Sequence, residues 1–256
     1  MASNPEEIAR VDVVVAHSDR VTLRVGDAFL KVDSDPANLD AEVAAIDLAP
    51  IPTPQVLWRQ RSVLALSVVP GTALGVLGEP SPASAAAWRA AGAAIRSLHN
   101  APLPPWPGKS LADVRSRLDE ECRMLVADGI LPADLVHRNR DIAERALQPS
   151  RPVFAHGDLQ LTHVFTEGDE VTGVIDWSEA GPGDAMFDLA ILTLGHEERL
   201  EQVIDGYGAD TDVDIEKIRA WWSARSLLAI RWLIGHGFDP FIPGAEFDVL
   251  RSGMRR

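Results

Sequence analysis

A single cysteine, Cys122, is all this 256-residue chain contains. That excludes an internal disulfide and fits a reducing, cytoplasmic setting. No apolar run approaches the ~18 residues of a membrane-spanning helix, and the N-terminus carries early acids and only a brief Val-Asp-Val-Val-Val-Ala run, so no secretory signal is visible. Positive charge is also short. The net charge of -14 argues against a general nucleic-acid binder, which needs a basic face. Lysine is the scarcest charge: of 24 basic residues only Lys31, Lys109 and Lys217 are lysine. A chain so committed to arginine keeps lysine where a compact ammonium is required. With 46% hydrophobic residues and no repeat or low-complexity tail, it has material for one large domain or two lobes.

The most informative stretch is His156-Gly157-Asp158-Leu159-Gln160-Leu161-Thr162-His163, followed by Val174-Ile175-Asp176-Trp177. Between them Val164-Phe165-Thr166 reads as a strand, Glu167 to Glu170 as a turn and Val171 to Ile175 as the returning strand. A hairpin brings its ends together, so Asp158, His163 and Asp176 should converge. Two carboxylates and an imidazole suit a divalent metal ion plus a general base. A His-Gly-Asp turn alone is compatible with a capping aspartate; the second acid beyond the hairpin tips the balance. The spacing also suits phosphoryl transfer, in which a base, a metal ligand five residues on and a second aspartate beyond a hairpin work together.

Lys31 lies in the apolar strand Ala28-Phe29-Leu30-Lys31-Val32, paired with Val21 to Val25 across a Gly26-Asp27 turn. Lys109, in a Pro-Gly loop, and Lys217, on a polar helix expected to be exposed, look incidental. Asp35-Pro36 predicts a helix start, with the helix running to about Leu48. Its stripe of Leu39, Val43 and Ile46 also carries Glu42. An inward carboxylate needs a cation, and Lys31 is the candidate.

With Gly181-Pro182-Gly183-Asp184-Ala185-Met186-Phe187-Asp188-Leu189-Ala190, the motifs His-Gly-Asp-Leu and Val-Ile-Asp-Trp resemble those of the aminoglycoside phosphotransferase family, relatives of choline kinase. The resemblance implies an α+β, two-lobed, protein-kinase-like fold, with a nucleotide-binding lobe over 1–70 and a mainly helical catalytic lobe over 71–256. It implies ATP or GTP and Mg²⁺, with Mn²⁺ as the alternative ion. It makes Asp158 the base, Asp176 the ligand of the metal ions and Lys31, supported by Glu42, the phosphate-holding residue. Ser67 to Val69 become the hinge for the purine edge, with Ser67 and Val69 as its ends; His156 braces the loop and Asp188 accepts hydrogen bonds from it. Two departures stand out. His163 replaces the usual asparagine, and His17-Ser18-Asp19-Arg20 stands where a glycine-rich phosphate loop is expected.

Upstream, strands are expected at 11–16, 21–25, 28–33, 55–59 and 62–69. Downstream, helices are expected from a Ser81-Pro82 cap to His99, over 111–126, 132–147, 184–194, 197–207, 213–235 and 245–254. Trp221, Trp222 and Trp232 are read as packing residues. From Glu197 to Glu216 the chain holds eight acids against Arg199, suiting either a polycationic acceptor or a solvated face. Glu179 and Asp184, nearer the loop, are the better individual contacts for a cation. The leading expectation is O-phosphorylation of a small, cationic hydroxyl acceptor, an aminoglycoside or similar antibiotic, by a monomer or dimer that binds neither nucleic acid nor membrane. A metabolite kinase for an amino alcohol, amino acid or sugar, and a kinase-like binding protein without turnover, are the alternatives.

Overall fold

The computed structural model describes residues 10–16, 19–76, 78–208 and 212–253. His17 and Ser18, and Asp210 of the acidic segment, therefore lie outside the described residues. The chain opens with β1 (Val11–Ala16), β2 (Arg20–Val25) and β3 (Ala28–Asp33), then α1 (Pro36–Leu48), β4 (Val56–Gln60) and β5 (Val63–Ser67). These strands form one antiparallel sheet in the order β1-β2-β3-β5-β4, with Lys31 set opposite Thr22 and Leu64. The helix starts where the sequence says: Asp35 accepts a hydrogen bond from Ala37 N, and Pro36 needs no donor at this position. Leu39, Ala45 and Ile46 face the core, and so does Glu42.

The chain then enters the second part through β6 (Thr72–Ala73), which pairs with the central hairpin. Gly71 makes the crossing, with φ +89° and a Cβ position only 2.3 Å from Thr166 O, so no larger residue passes there. Three helices follow, α2 (Ala85–His99), α3 (Leu111–Ala127) and α4 (Ala133–Ala143), then β7 (Val153–Ala155), β8 (Val164–Glu167), β9 (Glu170–Val174) and β10 (Gly181–Gly183). The sheet β6-β8-β9 contains the expected hairpin, and β10 pairs with β7. The chain closes with α5 (Ala185–Thr193), α6 (Leu200–Tyr207), α7 (Ile215–Gly235) and α8 (Glu246–Ser252). Among the described residues an apolar cluster runs through both parts, with Trp88, Phe154 and Trp177 fully buried. Among the described residues no helix is long and apolar enough to cross a membrane.

Several expectations change. Ser84, not Ser81, caps α2 by accepting from Ala87 N; the Ser81 hydroxyl instead bonds Leu74 O and receives Trp88 Nε1. Regular helix in α4 stops at Ala143, and turns continue to Leu147. Lys217 is buried, not exposed, with Nζ 2.6 Å from Asp184 Oδ2 and 2.9 Å from Gln148 O. Trp221 and Trp222 are packed as expected, but Trp232 is 44% exposed near the end of α7.

Candidate active site

The loop after β7 is built around Asp188 at the start of α5. His156 N donates to Asp188 Oδ2 at 2.7 Å and Gly157 N to Oδ1 at 2.9 Å, while His99 Nε2 lies 3.0 Å from Oδ2. Burial alone would push this carboxyl up; the His99 contact and the loop N–H groups hold it below the usual range. Gly157 is required, because its φ is +82° and a Cβ there would sit 2.3 Å from Glu179 O. His156 is fully buried, and burial lowers its pKa. Nε2 donates to Ile175 O at 3.1 Å, so Nδ1 carries the lone pair that receives Asp158 N at 3.3 Å. The loop is thus fixed from below by one carboxylate and one neutral imidazole.

Above it, one donor atom from each of Asp158, His163 and Asp176 lies within 4.8 Å of the others. His163 Nδ1 donates to Asp158 O at 2.8 Å, which in the neutral ring leaves the lone pair on Nε2, 3.9 Å from Asp176 Oδ2. Asp176 adopts left-handed backbone, φ 65° and ψ 65°, a strain on the order of 1 kcal/mol that non-glycine residues carry mainly at functional sites. Two carboxylate oxygens and an imidazole nitrogen with its tautomer set suit a divalent cation; the imidazole is the unusual member for Mg²⁺.

Lys31 joins the sheet to this cluster. Its Nζ lies 2.5 Å from Glu42 Oε1 and 2.9 Å from Asp176 Oδ1. Burial would lower the lysine pKa, but Asp176 and Glu42 hold it above the ordinary value, so the ammonium stays charged. Burial pushes the Glu42 carboxyl up against the pull of Lys31, and Oε2 is buried without a hydrogen-bond partner among the described residues. Burial acts the same way on Asp176, yet Lys31, His163 and Arg20 draw it well below the carboxylate range. Ser67 is the last residue of β5, two short of the expected strand end, and Val69 follows it. Ser67 is tied into the sheet, its N donating to Gln55 O and its Oγ receiving Gln55 N, both at 2.9 Å. Val69 is buried against Gly173.

The model of the phosphotransferase enzyme family matches residues 16–221. The chain belongs to this family. Among solved structures, an aminoglycoside phosphotransferase from Streptomyces rimosus is 26% identical, over 87% of this chain and 94% of that one, with a TM-score of 0.61. A choline/ethanolamine kinase family protein from Mesorhizobium loti is 19% identical over 98% and 90% of the two chains, with a TM-score of 0.70. A spectinomycin phosphotransferase solved with ADP and spectinomycin is 14% identical over 96% and 93%, also at 0.70. The last two likenesses carry the two-lobed α+β kinase-like fold.

Three residues of the phosphotransferase site escaped the sequence reading. Arg20, first residue of β2, sends Nη2 to Ser178 Oγ (3.2 Å), Nε to Asp33 Oδ2 (3.4 Å) and Nη1 to within 3.8 Å of Asp176 Oδ1. Gln160 Nε2 contacts both carboxylate oxygens of Asp158 at 3.0 and 3.1 Å. Arg225 of α7 brings Nη2 within 3.7 Å of Asp158 Oδ1. Gln160, inside the motif, and Arg20, at the end of the turn that stands for a phosphate loop, carried a local signal; Arg225 carried none. Several of the acids expected to meet a cationic acceptor have other partners. Asp184 caps α5, receives Trp221 Nε1 and pairs with buried Lys217. Glu179 pairs with Lys109 at 2.5 Å. In the acidic segment Glu197 and Glu216 pair with Arg219, Asp205 with Arg89 and Asp214 with Arg145.

Proposed function

We propose that this phosphotransferase moves the γ-phosphoryl group of ATP or GTP to a hydroxyl of a small molecule. The observation that carries the reading is one continuous charged cluster: Glu42, Lys31, Asp176, His163 and Asp158 follow one another in contact from α1 to the catalytic loop. Asp158 takes the proton of the acceptor hydroxyl as its oxygen forms the new P–O bond and the bond to the β-phosphate oxygen breaks, releasing the nucleoside diphosphate. Gln160 orients that carboxylate. Lys31, fixed by Glu42, holds the phosphates. Asp176 and His163 are the residues that would hold Mg²⁺ or Mn²⁺, an ion that when bound neutralises phosphate charge. His156 and Asp188 keep the loop in register, Ser67 to Val69 border the purine edge, and the division falls at 1–70 and 71–256.

An antibiotic acceptor is supported by the relative at 26% identity, which is an aminoglycoside phosphotransferase. The cationic acceptor, expected from the acids over 197–216 and from Glu179 and Asp184, is also supported by the net charge of -14, which favours approach of cations over the whole surface. A metabolite kinase is the second reading, favoured by the internal pairing of Glu179 and Asp184. A coupled assay for ADP or GDP release, with and without Mg²⁺, across aminoglycosides, macrolides, amino alcohols and sugars tests both. Metal-dependent release raised by one acceptor class upholds phosphoryl transfer and names the class. Nucleotide binding without turnover for any acceptor overturns it in favour of a binding protein.

A further inference from the structure

Arg225 projects from the middle of α7 toward the mouth of the catalytic loop, with its side chain 28% exposed. Its nearest carboxylate oxygen is Asp158 Oδ1, at 3.7 Å, beyond hydrogen-bond range. Among the described residues none of its five N–H groups has a hydrogen-bond acceptor within range. Glu246, the other acid on this side, forms no salt bridge with it; burial pushes its carboxyl up against the pull of Arg225. Asp184 and Glu179, the acids expected near the acceptor, are held elsewhere, by Lys217 and Lys109. A guanidinium paired at 3.7 Å with Asp158, its N–H groups without hydrogen-bond acceptors among the described residues, therefore stands beside the carboxylate to which the acceptor hydroxyl must come.

A guanidinium offers a rigid fork of donors and no acceptor. An ammonium brought to the same place would meet like charge at close range, whereas a carboxylate would meet paired N–H groups and form charge-assisted bonds. We propose that Arg225 is a specificity-determining residue that engages an anionic or oxygen-rich group next to the hydroxyl being phosphorylated, and that it excludes ammonium groups from that position. The inference rests on the phosphoryl-transfer reading above and narrows its acceptor. Cationic groups on an acceptor, where present, lie away from this hydroxyl. On the same face of α7, Trp221 lies one turn before Arg225, and half-exposed Trp232 lies seven residues beyond it. Two indoles thus flank the fork along the helix.

The test uses glucuronate, glucose and 6-amino-6-deoxyglucose, which differ only at C6, with kcat/KM measured for each on the full-length enzyme. The wild type should prefer the carboxylate over the ammonium sugar. Arg225→Gln should lower that preference about tenfold, the scale of a hydrogen bond to a charged group, while the nucleotide KM changes by less than about twofold. Arg225→Lys keeps the charge without the fork and should retain part of the preference, which also guards against a misfolded glutamine variant. A fall of threefold or more in Arg225→Gln upholds the proposal. A smaller fall, a wild-type preference for the ammonium sugar, or no phosphorylation of any of the three sugars overturns it. Metal-dependent hydrolysis of nucleotide to water, measured in parallel, separates the failures: if hydrolysis persists, only the role of Arg225 falls, and if it is absent, phosphoryl transfer falls with it.

Discussion

On the two sides of Asp158 the phosphotransferase handles charge in opposite ways. Toward the sheet, charges are shared: Lys31 serves Glu42 and Asp176, Arg20 serves Asp33 and Asp176, and two cations answer three acids. That cluster is left with negative charge and with one oxygen of Asp176 turned toward His163, so a divalent cation can join it. Away from the sheet, charges cancel in separate pairs, Asp184 with Lys217 on α7 and Glu179 with Lys109 at the surface, while the Arg225 cation faces Asp158 at 3.7 Å without a hydrogen-bond acceptor among the described residues. Counting acids along a sequence therefore says little about the acceptor. Which acids are already answered is decided by packing.

The largest effect should come from the carboxylate common to both sides. Asp158→Asn removes the proton acceptor while preserving shape, and kcat should fall by about 10²-fold or more. Nucleotide binding, measured by calorimetry, should be retained. A variant within a few-fold of wild-type turnover would remove Asp158 from the chemistry and end the comparison as drawn.

The pairs on the α7 side make a different demand. Asp184→Ala leaves Lys217, only 7% exposed, as an unanswered buried cation and removes the cap of α5. Breaking a buried pair in this way costs about 3–5 kcal/mol, and the urea midpoint should drop accordingly. An Asp184→Ala protein with unchanged stability but a higher acceptor KM would return Asp184 to the acceptor site.

Lys31→Arg probes the shared side. The charge survives, but a planar fork cannot place one compact ammonium between Glu42 and Asp176. We expect about a tenfold loss in kcat/KM for the nucleotide, with the acceptor KM little changed. If acceptor use suffers instead, the two sides are coupled more tightly than their charge patterns indicate.

The same contrast explains what the sequence could disclose. Lys31 and Glu42 are 11 residues apart, on a strand and a helix whose periodicities fix their faces; the Asp158, His163 and Asp176 cluster is closed by one short hairpin. Each is a local geometry. Arg20 reaches Ser178 across 158 residues, and Arg225 meets Asp158 from a helix buried nearly all round. Residues as different as Lys217, Trp221, Ser223 and Ser226 are all covered on α7, so no apolar stripe reveals which face looks at the site. The Ser81 and Ser84 confusion has a simpler cause: both are plausible caps, and only the fold shows which hydroxyl is already engaged by Leu74 and Trp88.

Acid should loosen the floor shared by both sides. The unfolded His156 ring takes a proton near its ordinary value of 6.5, whereas burial keeps the folded ring neutral to lower pH. Below about pH 6.5 the unfolded chain therefore binds more protons, and stability falls as pH drops, by at most about 1.4 kcal/mol per pH unit for one group. The depressed Asp188 carboxyl adds a second loss at lower pH: its contribution is complete above the ordinary 3.8 and disappears as pH falls through its folded value. Urea midpoints from pH 7.5 to 5 should show the first limb, and His156→Gln should flatten it. An identical slope in that variant would assign the limb to another group.

The smallest effect should belong to Glu179. Its pair with Lys109 is exposed on both sides, 47% and 60%, and such pairs contribute about 0–1 kcal/mol and weaken with salt. Glu179→Gln should therefore leave stability nearly unchanged. It should also leave the preference among C6-substituted sugars unchanged, because Arg225 and not Glu179 stands beside the base. If Glu179→Gln instead raised the KM of the ammonium sugar severalfold, the surface pair would have to open to receive the acceptor. The side away from the sheet would then resemble the shared side after all, with a carboxylate exchanged between protein and ligand.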